Sequence, residues 1–198
     1  MAPTTTRRTQ QERSQATVKQ LLDAARERFG AAGYADTSLD EVATDAGVSK
    51  GALYHHFPNG KPALFRAVFE REQQFLAEAV ITASRRKRDP WDAFFEGCRA
   101  FLEQSLDPKV QRITLFDAPA VLGWEQMREI EAPHSFAVLK AGLRAAVDEG
   151  RLPNRDPTIL AHVMLGALCE GVAVIASSSN PRATIRKLTA ELRALLVP

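Results

Sequence analysis

Four times in this chain an Asp or Asn is followed directly by proline: Asp89-Pro90, Asp107-Pro108, Asp156-Pro157 and Asn180-Pro181. Each pair reads as a helix start. The acid or amide accepts from the first unpaired N–H groups, and proline suits the first helical position, where no N–H is required. Behind these starts apolar residues return every three or four positions, as in Trp91, Phe94, Phe95, Cys98, Phe101 and Leu102, or Ile185, Leu188, Leu192 and Leu195. The same period runs through Val18, Leu21, Leu22, Ala25 and Phe29, through Leu64 to Ala83, and through Phe136, Leu139, Leu143 and Val147. That spacing is one face of an amphipathic helix. The one short strand candidate is RITLF at 112–116, and helical patterns flank it. Starts and stripes together predict an all-α chain of about nine helices.

The helices before Phe57 are short and those after it long, with no flexible linker, because a new helical pattern starts near Lys61. Two mechanically joined domains are expected, 1–60 and 61–198. With 26 Lys and Arg against 24 Asp and Glu the net charge is only +2, so any nucleic-acid binding must rest on local placement. Cys98 and Cys169 lie in apolar helical patterns and read as reduced core residues, which suits a cytoplasmic protein. The opening residues, MAPTTTRRTQQER, lack the apolar stretch of a signal peptide. The segment from Ile159 to Ala176 is apolar enough to span a membrane, but His162 and Glu170 lie inside it. A helix buried by other protein is the expected form, with no membrane partner.

Residues 37–57 carry the functional signal. Ser38 and Glu41 make a capping box, and Leu39, Val42, Ala43 and Ala46 give the buried face of a short helix. Gly47 allows a sharp turn, and Ser49 caps a second helix. That is a helix-turn-helix. At 100° per residue, Leu53 and Phe57 of the second helix face inward. Gly51, Tyr54 and His55 face outward, and the bare backbone at Gly51 lets the helix approach another surface closely, as a DNA major groove requires. Adjacent histidines on a helix point apart, so His55 and His56 are not a metal pair, and no metal or cofactor is expected. His56, which points partly sideways, is assigned a structural role.

The string TSLDEVATDAGVSKGALYHHF, with Ala25, Phe29, Gly33 and Tyr34 before it, resembles the DNA-binding domain of TetR-family transcriptional regulators over roughly residues 14–70. The stretch FPNGKPAL departs from the commoner pattern by one extra residue and by Pro62, which a first helical turn tolerates. The resemblance implies a helical ligand-binding and dimerisation domain after residue 70. It also implies DNA contacts at Thr37 or Ser38, Ser49, Lys50, Gly51, Tyr54, His55 and Lys61. Their chemistry agrees: helix N-termini and Lys61 suit phosphate, Lys50 a base edge or phosphate, and Tyr54 phosphate, sugar or a thymine methyl. Arg7 and Arg8 could enter a minor groove or belong to a solvating tail. The basic run Arg85 to Arg88 reads as the solvated end of a long helix.

Hydrolase, P-loop and dinucleotide motifs are absent, and His162 and Glu170 lie too far apart along one helix to work as an acid–base pair, so no enzyme is expected. The function expected is a ligand-responsive repressor, a homodimer released from a palindromic double-stranded DNA operator by a small hydrophobic or aromatic effector. The competing class is a helical small-molecule binder or scaffold with an idle helix-turn-helix. Residues 157–177 and 181–196 are expected to form the dimer interface as a four-helix arrangement, with Gly166, Ala167, Gly171 and Ala173 allowing close approach and Leu168 and Val172 at the contact. Pro119, Gly123 and Pro133 break the stretch from Phe116 to Pro133 and leave room for a cavity near Phe94, Cys98, Phe116, Trp124 and Met127, with His134 as a polar contact. The helix starting at Lys61 would carry a signal from that cavity to the DNA.

Overall fold

A computed structural model describes residues 9–152 and 155–196. Arg7 and Arg8 lie outside them. The described residues form ten helices and no strand: α1 (Gln10–Asp36), α2 (Leu39–Asp45), α3 (Lys50–His56), α4 (Lys61–Ser84), α5 (Pro90–Gln104), α6, α7 (Gly123–Glu131), α8 (Ser135–Asp148), α9 (Pro157–Ala176) and α10 (Pro181–Leu196). Helix α6 is continuous through Pro108–Gln111, Arg112–Asp117 and Ala118–Val121, and its middle segment is wound as a π-helix. That segment is the strand candidate RITLF. Helical neighbours on both sides override the local β propensity of its branched residues. The chain divides between Val68 and Phe69 into two compact units, so α4 contributes residues to both.

In the first unit Leu21, Ala25, Phe29, Val42, Leu53, Leu64, Phe65 and Val68 are completely buried. Phe29, Tyr34 and Phe65 pack ring to ring at centroid distances of 5.1 to 5.9 Å. Gly33 breaks the helical path of α1 at φ 86°, which turns Tyr34 back onto Phe29. Arg28 reaches from α1 to the end of α2, where Nε and Nη2 bind the two oxygens of Asp45 at 2.6 and 3.1 Å.

The second unit is organised around Trp91, Phe94, Phe95, Leu102, Leu143, Leu165, Leu168 and Ile175. The proline starts behave as the sequence implies: Asp89, Asp107 and Asp156 each accept a backbone N–H of the turn they cap. Helix α9 is long and apolar enough to cross a membrane, yet only 39% of its most apolar window is buried within the chain. It is therefore less enclosed than a helix covered on most sides. Leu168 and Val172, expected at a dimer contact, are instead buried in the core of the second unit, and a Cβ at Gly171 would sit 3.4 to 3.5 Å from Leu102 and Leu188. The exposed side carries Ile159, Val163, Gly166, Glu170 and Val174, at intervals of three and four residues.

Candidate DNA-reading surface and effector cavity

Three local devices present α3. At the start of α2 the Ser38 hydroxyl accepts from Asp40 N–H at 3.2 Å, and Glu41 accepts from Ser38 N–H at 3.4 Å, completing the capping box. Gly47 makes the turn at φ 66°, and Ser49 Oγ accepts from Ala52 N–H at 3.1 Å to start α3. Leu53 and Phe57 then lock one side of α3 into the core. Lys50, Gly51, Tyr54 and His55 are left exposed on the other side. A Cβ at Gly51 would meet nothing nearer than Ser49 Oγ at 3.9 Å, so the helix backbone is open to close approach there. Lys50 Nζ rests 2.7 Å from Asp40, which raises the lysine pKa through that hydrogen bond and charge. The pair is exposed, and a phosphate can take the carboxylate's place at little cost.

Two cavities with mainly apolar walls open within the second unit. The larger, of about 320 Å³, lies between α4, α5, α8 and α9 and is walled by Val80, Ile81, Phe94, Cys98, Leu139 and Leu165. Its width depends on two glycines inside helices. A Cβ at Gly97 would stand 2.8 Å from Ser84 Oγ, and one at Gly142 only 2.7 Å from the Phe94 ring. The smaller cavity, about 130 Å³, is lined by Gln73, Thr114, Trp124, Met127, Arg128, Glu131 and Cys169. Phe101, Ser135 and Leu165 line both. Burial pushes the thiols up, Cys98 to about 12 and Cys169 to about 11, so neither is a nucleophile at neutral pH.

Residues 91–198 match the model of the tetracyclin repressor-like C-terminal domain, and residues 21–68 match that of bacterial regulatory proteins of the tetR family. The chain belongs to the TetR family. Among curated TetR-family relatives, the HTH-type transcriptional regulator TtgR of Pseudomonas putida is 32% identical over 181 residues, 84% of this chain and 82% of that protein. The Tn10 TetC protein of Escherichia coli is 27% identical over 157 residues, 79% of each chain. The crystal structure of a TetR-family transcriptional regulator from Pectobacterium atrosepticum superposes with a TM-score of 0.75 at 34% identity, covering 96% of this chain and 98% of the other. RolR in complex with resorcinol shares the fold, with a TM-score of 0.72, 17% identity, and coverage of 94% of this chain and 90% of RolR. The protein is thus a ligand-responsive DNA-binding transcriptional regulator, of a family that binds operators and small effectors and is typically dimeric.

The TetR-family positions are not equally available. Thr37 is buried, with its hydroxyl donating to Gly33 C=O at 2.7 Å, so Ser38 is the one of that pair that faces solvent. Lys61 Nζ donates to Ala35 C=O at 3.0 Å and stands 4.5 Å over the Tyr34 ring, capping the end of α1. Of the expected cavity residues, Phe94 and Cys98 line the larger chamber, and Trp124 and Met127 the smaller. Phe116 lines neither and is 58% exposed, whereas its neighbours Thr114 and Leu115 on the same π-helical segment line the smaller cavity. His134 also lines neither: it immediately precedes α8, with buried Nε2 3.8 Å from Glu70. Gln73, Glu131 and Ser135 also line the smaller cavity, which sequence does not signal, since single polar residues in amphipathic helices read as solvent-facing. Gly97 and Gly142 were the available signal, as glycine inside a helix is costly unless something packs against it.

Proposed function

We propose that the protein is a homodimeric repressor that reads a palindromic operator with α3 and leaves it when an apolar effector fills the cavities of the second unit. The observation that carries this reading is the outward row Lys50, Gly51, Tyr54 and His55, with open space in front of Gly51. Ser38 and Ser49 flank the row, each keeping a hydroxyl proton for a phosphate while its oxygen caps a helix. Lys61 serves the DNA indirectly, by fixing the end of α1, and Arg7 and Arg8 are outside the described residues.

The apolar stripe of Ile159, Val163 and Val174 on α9 supports a two-fold interface that also uses α10, with Gly166 allowing close approach. Two reading helices so joined meet half-sites about 34 to 36 Å apart, or a multiple of that. The reading places the protein in the cytoplasm, where its DNA is. Selection from a random duplex pool followed by footprinting tests it. A near-palindromic site bound in a salt-sensitive manner is expected, and binding no tighter than to random DNA would refute it.

A further inference from the structure

The larger chamber has mostly apolar walls, whereas the smaller presents buried polar groups that the fold does not fully use. Glu131, 6% exposed, receives Arg128 Nη1 on Oε2 at 2.8 Å, and Oε1 has no hydrogen bond among the described residues. Gln73, 3% exposed, accepts from Ser135 Oγ at 2.6 Å and keeps its amide NH₂. An unused acceptor and an unused donor thus line one small chamber, continuous in its walls with an apolar one. Both groups face the open space of the chamber, so a ligand that fills it and excludes water is favoured if it completes both hydrogen bonds.

We infer that the effector is an apolar molecule ending in a neutral hydroxyl, phenolic or aliphatic, whose O–H donates to Glu131 while its oxygen accepts from Gln73. The inference rests on the effector reading above and deepens it. A carboxylate in that chamber would face Glu131 at close quarters, and an ammonium would lose its hydration for one shared carboxylate. The other cation near the cavities, Arg85, lies exposed at the rim of the larger chamber, where water screens an anion bound to it.

Titration calorimetry of the full chain without DNA tests this with 4-hexylphenol, its methyl ether and 4-hexylbenzoic acid. The phenol is expected to bind about tenfold or more tighter than the ether, which lacks the donated proton. Glu131→Gln should shrink that ratio by weakening the phenol alone, and the ether's unchanged affinity would show the apolar chamber intact. Arg85→Ala should leave the order unchanged. Equal binding of phenol and ether, tightest binding of the benzoate, an unchanged ratio in Glu131→Gln, or no binding of any probe would each overturn the inference. If the phenol binds as expected but does not release operator DNA, the hydroxyl site stands and the repressor reading fails instead.

Discussion

Tyr54 and Lys50 owe their exposure to what lies behind them: Leu53 is fully buried and fixes the rotation of α3. Because neither side chain supports the core, Tyr54→Ala and Lys50→Ala should leave the thermal midpoint nearly unchanged. Each should weaken operator binding by about 1 to 3 kcal/mol, and the lysine variant should reduce the salt slope by about one phosphate contact. Unchanged operator affinity in the double variant would favour the scaffold alternative. The Arg28–Asp45 pair makes the opposite kind of contribution, to stability rather than recognition. Its hydrogen bond holds the Asp45 carboxyl below its ordinary value of 3.8. A lowered carboxylate pKa stabilises the fold fully above the unfolded value, and that contribution is lost as pH falls through the folded value. Asp45→Asn should therefore melt below the parent protein at pH 7, with the gap closing below pH 3.8. A gap that stays constant as the pH is lowered well past that value would mean the pair is not responsible.

Helix α8 meets Phe94 through Gly142, where an added methyl group cannot fit without moving the ring. The ring has the 320 Å³ chamber to move into, so Gly142→Ala should cost little stability, and the gain in helix propensity of about 1 kcal/mol offsets the strain. Effector binding should fall at least tenfold while DNA binding persists; retained effector affinity would show that the Phe94 side of the chamber is unused. The exposed stripe of α9 calls for a different substitution from the one its sequence invites. Leu168→Arg buries an unpaired charge and should unfold the subunit. Val163→Arg alters a residue already 61% exposed, and should give folded monomers in sedimentation with steeply reduced operator affinity. Folded dimers that bind DNA fully would place the interface elsewhere. The period of α9 was legible from its sequence, but which apolar residues face the subunit was not, because nearly every position is apolar. Helix α3 has no such ambiguity: its large aliphatic residue Leu53 and Phe57 just past its end lie four apart on one side, which leaves Lys50, Tyr54 and His55 facing outward.

The legible part of this molecule is the part whose chemistry is local. Caps, the turn at Gly47 and the outward row on α3 are all settled by near neighbours in the chain. The two cavities are assembled from α4 to α9, and no single helix announces that Gln73 and Glu131 will line one space. The outward position of Phe116 is likewise not legible locally, since the sequence of its π-helical segment resembles a strand. The proposed function needs these two kinds of structure to be coupled, and α4 is the element with residues in both units. It runs unbroken from Lys61 to Ser84, giving Leu64, Phe65 and Val68 to the core behind the reading helix and Val80 and Ile81 to the chamber wall. On the proposed reading, a ligand that displaces the wall would act on a helix whose first turns pack behind α3, without altering Tyr54 or His55. Such coupling typically amounts to about 1 to 3 kcal/mol, and linkage makes it reciprocal. The affinity of a binding effector, 4-hexylphenol in the first instance, should therefore fall about 5- to 150-fold in saturating operator DNA, by the same factor as it weakens the operator. Equal effector affinity with and without the operator would leave a DNA-binding protein whose chambers are not connected to its reading helices.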